Sequence, residues 1–297
     1  MACPPDAFVT GARCTLTGLA KAPQLNGTGG TIVGPARDDD TRVRFQLEAT
    51  GKIVAVKKLN LVPEGAPAPT PAGRGFWDAL EVCPELQVLI DNYDVLVEEM
   101  QAATNFQPWP ETSLYKPSNG DEWKVIPFVH TFPANNEAAR EWIGPNCTQC
   151  PKTTEVLKSI PSIRTALYSR MGPDTTLSPH QGWAVLSNHV LRCHLALVAP
   201  EANASGVGVV TSASDAAEPT VETRHHEAGN LMMFDDSRMH FGFNKGETHR
   251  CVLIVDVMRP EGVPHGVSNG QTTPELMAYI DYFRGGGDRA KLAKLAK

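Results

Sequence analysis

Two stretches of this chain hold residue types that could do chemistry together. One runs from Tyr168 to His194 as YSRMGPDTTLSPHQGWAVLSNHVLRCH; the other, FDDSRMHFGFNKGETHR, closes at Arg250. They place His180 and His240 on separate segments, each flanked by β-type sequence, with Ser169, Arg192, His194 and Arg250 at hand. A neutral imidazole offers a lone pair to a metal ion, and a guanidinium offers a planar fork that pairs with a carboxylate. The set therefore suits a metal and an acidic co-substrate. A histidine beside a strand is more often a core or surface residue than a ligand, and either arginine could pair with an Asp or Glu on a neighbouring strand. It is the coincidence of the whole set that points to a site.

Rigid strands must hold such a set. From Ile163 onward, β-type runs recur at Thr165 to Ser169, Leu191 to Val198, Gly206 to Thr211, Leu231 to Phe234 and Cys251 to Val257, with polar hairpin material such as SASDAAEPT between them. That pattern predicts an antiparallel jelly roll rather than βαβ units. Upstream, Leu86, Leu89, Ile90, Tyr93, Leu96, Val97 and Met100 recur at helical spacing behind Pro84 and predict one scaffold helix. The passage from Asn105 to Asn146 reads as loop-rich, with Trp109, Trp123 and Trp142 among prolines and glycines. Aromatics so placed either line a pocket or plug gaps in a core. Cys147 and Cys150 have a metal or redox spacing, but no second pair completes a zinc site. Short helices are expected from Lys152 to Ile160, stopped by Pro161, and from Pro274 to Phe283.

At 297 residues the chain is long enough for one sizeable core and a small extra domain. Residues 1–62 alternate short strands with Gly and Asp turns, and the run GLAKAPQLNGTGGTIVG followed by RVRFQLEATGKIVAVKKLNL resembles an SH3-like β-barrel. Such modules bind partners or pack against a neighbour. A Pro-rich linker is expected over 63–75, leaving 76–297 for the main domain. The formal charge of −6 gives no sign of a nucleic-acid partner. Seven scattered cysteines read as reduced thiols, and no secretory leader or bilayer-length apolar run is evident, so a cytoplasmic location with no membrane partner is expected.

The histidines can meet at one iron, as in non-haem Fe(II) oxygenases, which add a carboxylate two residues after the first histidine. Here that position is Gly182. From about Cys83 to Pro260, however, the ordered stretches WKVIPF, NCTQCPKT, LYS followed by PH-x-G, RCHLALV, FDDSRMH and VLIVDVMRP resemble the aspartyl/asparaginyl β-hydroxylase family of 2-oxoglutarate-dependent oxygenases. That family uses HxG in place of HxD, so Gly182 agrees with the resemblance.

The resemblance implies a double-stranded β-helix in which His180 and His240 bind Fe(II). It implies that Ser169 and Arg250 hold the distal carboxylate of 2-oxoglutarate, and that Arg192 and His194 approach its 1-carboxylate end. The segment WAVLSNHV lengthens the connection from His180 to Arg192 and is expected to reshape the substrate side. Asp235 and Asp236 are expected to make a turn and to orient His240, and His225 and His226 to be exposed. The implied reaction consumes O2 and 2-oxoglutarate, releases succinate and CO2, and hydroxylates a C–H bond of a small metabolite or amino acid derivative. A cytosolic protein's Asp or Asn side chain is the close second substrate class. Two alternatives remain: a halogenase with a halide on the iron beside Gly182, and a non-catalytic binding module whose amino-terminal barrel recruits a protein.

Overall fold

The computed structural model describes residues 8–16, 19, 21–36, 39, 41–63, 70–116 and 123–284. The chain divides into two units, Met1–Ala68 and Pro69–Lys297. In the first, β1 (Arg13–Leu16), β2 (Gly29–Pro35), β3 (Arg42–Leu47), β4 (Ile53–Lys57) and β5 (Leu61–Pro63) form one antiparallel sheet in the order β4-β3-β2-β1-β5. Alternate side chains, among them Cys14, Leu16, Ile32, Val43, Phe45 and Leu47, fall on one buried face, as a period of two requires. Gly30 is needed there because a Cβ would overlap the Gln46 carbonyl and the Phe45 ring.

Of the linker expected over 63–75, residues 64–69 lie outside the described residues. The rest is tied down: Thr70 donates its backbone N–H to Ser214 Oγ (2.9 Å), Gly73 donates to the Thr211 carbonyl (2.9 Å), and Phe76–Trp77 forms strand β6. Proline-rich composition marks a boundary but does not exclude docking, since extended backbone can still pair with a neighbour.

The second unit contains two facing antiparallel sheets. The larger runs β10 (Arg140–Trp142), β9 (Lys124–Thr131), β11 (Ile163–Met171), β18 (Arg250–Met258), β13 (Val190–Val198), β16 (Leu231–Phe234) and β6, with β7 (Gln107–Pro108) added beside β9. The smaller runs β15 (Val221–His225), β14 (Ser205–Val210), β17 (His240–Asn244), β12 (Thr175–Leu177) and β8 (Tyr115–Lys116). Leu167, Ala196, Val252 and Ile254 of the larger sheet share an apolar cluster with Leu177 and Tyr115 of the smaller one. Phe76, Met232 and Phe234 share a second cluster with Val207 and Val209. This is the jelly roll expected from the strand pattern.

The outer face of the larger sheet carries helices. Leu191, Cys193, Leu195, Leu253, Val255 and Tyr168 pack there against α1 (Ala79–Val82), α2 (Gln87–Asp91), α3 (Tyr93–Ala102) and α5 (Pro151–Lys158); α4 (Gly144–Gln149) precedes α5. The single helix expected behind Pro84 is interrupted. A 3-10 turn spans Pro84–Leu86, and Asn92 (φ −112°, ψ 18°) separates α2 from α3, its side-chain amide donating to the Val88 carbonyl (2.8 Å). The apolar stripe survives because Leu86, Leu89, Leu96 and Met100 are all buried. Within the passage read as loop-rich, β9 is an eight-residue strand with both faces covered, so it shows an unbroken apolar run instead of alternation. Among the described residues no helix is long and apolar enough to cross a membrane.

Candidate active site

Strand alternation decides which side chains enter the space between the sheets. On β18, Leu253, Val255 and Val257 face the helices, which turns Arg250, Val252, Ile254 and Asp256 inward. On β13 the same rule turns Arg192, His194 and Ala196 inward, and on β11 it turns Leu167, Ser169 and Met171 inward. The inward-turned polar residues meet two histidines of the facing layer, His240 at the start of β17 and His180 bridged to it. His180 and His240 exchange backbone hydrogen bonds (2.9 and 2.8 Å) in an isolated β-bridge, and their ring centroids lie 4.3 Å apart. A cavity of about 40 Å³ is lined by His180, His240, Ser169, Arg192, His194 and Arg250, together with Trp123 and Ile254. The structure thus brings together every site residue picked out in the sequence.

Each imidazole is set to offer the same atom. Nδ1 of His180 lies 2.7 Å from the Ser178 carbonyl, and Nδ1 of His240 lies 2.9 Å from the Arg238 carbonyl. A carbonyl only accepts, so Nδ1 carries the proton and Nε2 keeps the lone pair. Burial pushes both pKa values down to about 4, and for His180 the neighbouring His240 adds to the effect. Both rings are therefore neutral near pH 7, the form that binds a metal.

Gly182 has a physical reason to be glycine. A Cβ there would overlap the Asp236 carboxylate, which reaches into the space where a residue-182 side chain would stand. Asp236 is fully buried, its Oδ1 lies 3.4 Å from His240 Nε2, and its Oδ2 has no hydrogen-bond partner among the described residues. Arg192 holds it in place. The guanidinium donates through Nη1 to Asp236 Oδ1 (2.5 Å) and through Nε and Nη2 to the two Asp256 oxygens (2.8 and 2.9 Å). Burial works against the Arg192 charge, but the two carboxylates outweigh it and hold the pKa above its ordinary value. The Arg192 fork is thus already engaged. Asp235 does something else: it accepts from the Ser237 backbone N–H (3.0 Å) and Oγ (2.6 Å) and pairs with Arg259.

Arg250 is the opposite case. It is 3% exposed, and among the described residues Nε and Nη1 have no partner and Nη2 meets only the Met171 sulfur (3.5 Å). Burial pushes its pKa down to about 10. Nearby, Ser169 Oγ accepts from Trp123 Nε1 (2.8 Å), which leaves the hydroxyl proton free to donate. His194 presents an unpartnered Nε2, while its Nδ1 lies 3.1 Å from Nε2 of His226, whose Nδ1 lies 3.4 Å from Ser205 Oγ. His226 is buried (5% exposed), contrary to the expectation that both His225 and His226 are exposed. Alternation gave no signal, because β15 is open on both faces; His226 is drawn in by its contacts with His194 and Ser205.

A second cavity of about 190 Å³ adjoins the first, sharing Trp123, His180, Arg192 and Ile254 with it. Its other walls include Trp109, Glu111, Leu114, Trp183 and Thr273. Trp183 belongs to the segment expected to reshape the substrate side. The next residues, Ala184–Ser187, form a single turn, α6, rather than a loop. Trp142 lies elsewhere, under the Lys158 ammonium (5.2 Å to its centroid). Cys147 and Cys150 are free thiols; burial raises both pKa values, that of Cys150 to about 12. Among the described residues no group of three or more His, Cys, Asp or Glu is gathered to hold a metal, so the histidine pair stands as a pair.

The family model described as aspartyl/asparaginyl beta-hydroxylase matches residues 90–260, more than half of the chain. The chain belongs to the aspartyl/asparaginyl β-hydroxylase family. It is 32% identical over 145 residues to the ornithine lipid ester-linked acyl 2-hydroxylase of Rhizobium tropici, covering 48% of this chain and 44% of that protein. Against the human aspartyl/asparaginyl beta-hydroxylase it is 32% identical over 123 residues, 40% of this chain and 14% of the relative. The chain thus spans less than half the length of these relatives. A solved oxidoreductase of the 2OG-Fe(II) oxygenase family from Burkholderia pseudomallei is 12% identical, with a TM-score of 0.41 over 60% of this chain and 81% of its own. The β-hydroxylase-family site fits a metal with an acidic co-substrate: two imidazoles with free Nε2 lone pairs line one cavity, and among the described residues no counter-ion pairs with the buried Arg250 beside them.

Proposed function

We propose that this chain is an Fe(II)- and 2-oxoglutarate-dependent dioxygenase that hydroxylates a C–H bond of a small metabolite or amino acid derivative, with His180 and His240 as the iron ligands. The observation that carries the reading is the shared inner cavity, where two metal-ready imidazoles stand beside the uncompensated Arg250 guanidinium. With O2, the bound iron and 2-oxoglutarate supply the oxidation of the C–H bond, leaving succinate and CO2 as co-products.

The chain's own residues account for binding and orientation. Arg250 and the Ser169 hydroxyl would hold the distal carboxylate, the guanidinium through its two unpartnered nitrogens. His194 would donate from Nε2 to the other end of the co-substrate, with Nδ1 accepting from His226 Nε2 so that the tautomer is settled. Arg192 does not reach for the co-substrate in this scheme. Its pairs with Asp236 and Asp256 position the Asp236 carboxylate beside His240. Trp123 serves both cavities, orienting Ser169 through its N–H and closing the substrate side with its ring.

Hydroxylation is favoured over halogenation by Asp236. The halogenase reading needs an open position beside Gly182, and a carboxylate fills that space and repels an anion. The test is an anaerobic titration with Fe(II) and 2-oxoglutarate, following the weak visible band of the chelate. The band should require both components and disappear in His180→Ala. A folded protein that gives no band would leave a binding module.

A further inference from the structure

The outer cavity has an unusual charge arrangement. Its titratable walls are His180, Arg192, Asp236 and Glu111. His180 is one of the two imidazoles assigned to the metal, and Arg192 is already claimed by Asp236 and Asp256. Glu111 is different. It is 7% exposed, and its carboxylate accepts from three neutral donors: Trp109 Nε1 (3.2 Å), Trp183 Nε1 (3.4 Å) and Thr273 Oγ1 (2.7 Å). Among the described residues no cation pairs with it. Three neutral hydrogen bonds fix where the carboxylate points but leave its charge uncompensated, and a buried charge without a counter-ion is costly unless something supplies one.

The surrounding surface matches the same chemistry. Trp109 is stacked on Trp123 (centroids 4.7 Å apart, 27°) and lies nearly parallel to Trp183 (5.9 Å, 16°), so the three indoles form one aromatic stack along the wall, and the N–H edges of Trp109 and Trp183 converge on Glu111. Leu114, Leu167 and Ile254 complete an apolar lining. Electron-rich ring faces attract a cation, and an aromatic wall around one carboxylate suits an ammonium group on an apolar body.

Resting on the oxygenase reading above, we infer that the substrate carries a cationic nitrogen, a primary or quaternary ammonium, which docks on Glu111 beside the tryptophan stack while the carbon to be oxidised faces His180 and His240. Glu111 would then act as the residue that selects the substrate's charge.

The test needs no knowledge of the natural substrate. Full-length protein loaded anaerobically with Fe(II) and 2-oxoglutarate is titrated with choline and with its neutral isostere 3,3-dimethylbutan-1-ol, then with benzylammonium and benzyl alcohol, reading tryptophan fluorescence. At least one cation should bind about tenfold more tightly than its isostere. In Glu111→Gln that preference should vanish while the affinity for the alcohols stays the same. Equal affinities for cation and isostere in both pairs would overturn the inference, as would a preference that survives Glu111→Gln. If the variant does not fold, the comparison in the unmodified protein decides by itself. The chelate band, read in the same samples, keeps the two readings apart: band without cation preference sinks only the substrate class, and cation preference without band sinks only the oxygenase.

Discussion

With Nε and Nη1 unpartnered and a pKa lowered to about 10, the Arg250 guanidinium is held inside the fold at a cost that a carboxylate ligand would offset. Arg250→Met is therefore expected to move two measurements in opposite directions. The ligand-free protein should become more stable by about 1–3 kcal/mol in chemical denaturation, and 2-oxoglutarate should bind about a hundredfold more weakly. A loss of stability together with unchanged 2-oxoglutarate affinity would refute the role given to Arg250. Gly182→Ala probes the neighbouring constraint. The new Cβ must push the Asp236 carboxylate away from Arg192, and a destabilisation of about 1–3 kcal/mol is expected by the same measurement. His226 acts at one remove, through His194. His226→Phe should weaken 2-oxoglutarate binding by about tenfold, with Fe(II) affinity measured alone left as it was.

Among the elements, α5 shows how a helix can be capped from outside its own segment. Glu99 on α3 accepts from the backbone N–H groups of Lys152 (3.0 Å) and Thr153 (2.7 Å) and from Thr153 Oγ1 (2.7 Å), covering the first turn of α5. With its proton given to Glu99, Thr153 Oγ1 accepts from the Tyr168 hydroxyl (2.5 Å), whose oxygen lies 3.1 Å from the Leu96 carbonyl, so one network joins α3, α5 and β11. Glu99→Ala is expected to lower unfolding stability by about 1–2 kcal/mol while leaving 2-oxoglutarate affinity unchanged, because the network lies on the helix side of the sheet. Reduced affinity for 2-oxoglutarate in that variant would mean that the two faces of β11 are coupled.

For the molecule as a whole, pH acts through buried imidazoles. Burial lowers the pKa of His194 and His226 well below the ordinary value, with His226 and Arg250 adding for His194 and with Arg250 and His225 adding for His226. The unfolded chain takes up protons at these positions as pH falls through about 6.5, whereas the folded chain resists until far lower. Stability supplied by the neutral rings is thus complete above that pH and is lost progressively below it, at up to roughly 1.4 kcal/mol per pH unit for each ring. Urea midpoints at pH 7.5, 6 and 5 should fall in that order, and His226→Phe should flatten the trend. The candidate site is built entirely within Pro69–Lys297. Protein lacking residues 1–68 is expected to bind Fe(II) and 2-oxoglutarate with unchanged affinity.

The sequence by itself determined which residues converge at the inner cavity and what kind of fold holds them. Periodicity is a local property, and β11, β13, β16 and β18 were readable because alternating burial or an unbroken apolar run is written into each strand. The motif set then named His180, His240, Ser169, Arg192, His194 and Arg250, all of which line one cavity. Tertiary structure alone decided how those residues divide their work. Arg192 and Arg250 look alike in the sequence, yet Asp236 and Asp256 reach one and no carboxylate among the described residues reaches the other. Glu111 gave no signal either, since its partners Trp183 and Thr273 come from segments far along the chain. Charge compensation depends on distances between segments remote in sequence, and only the packed chain sets those distances.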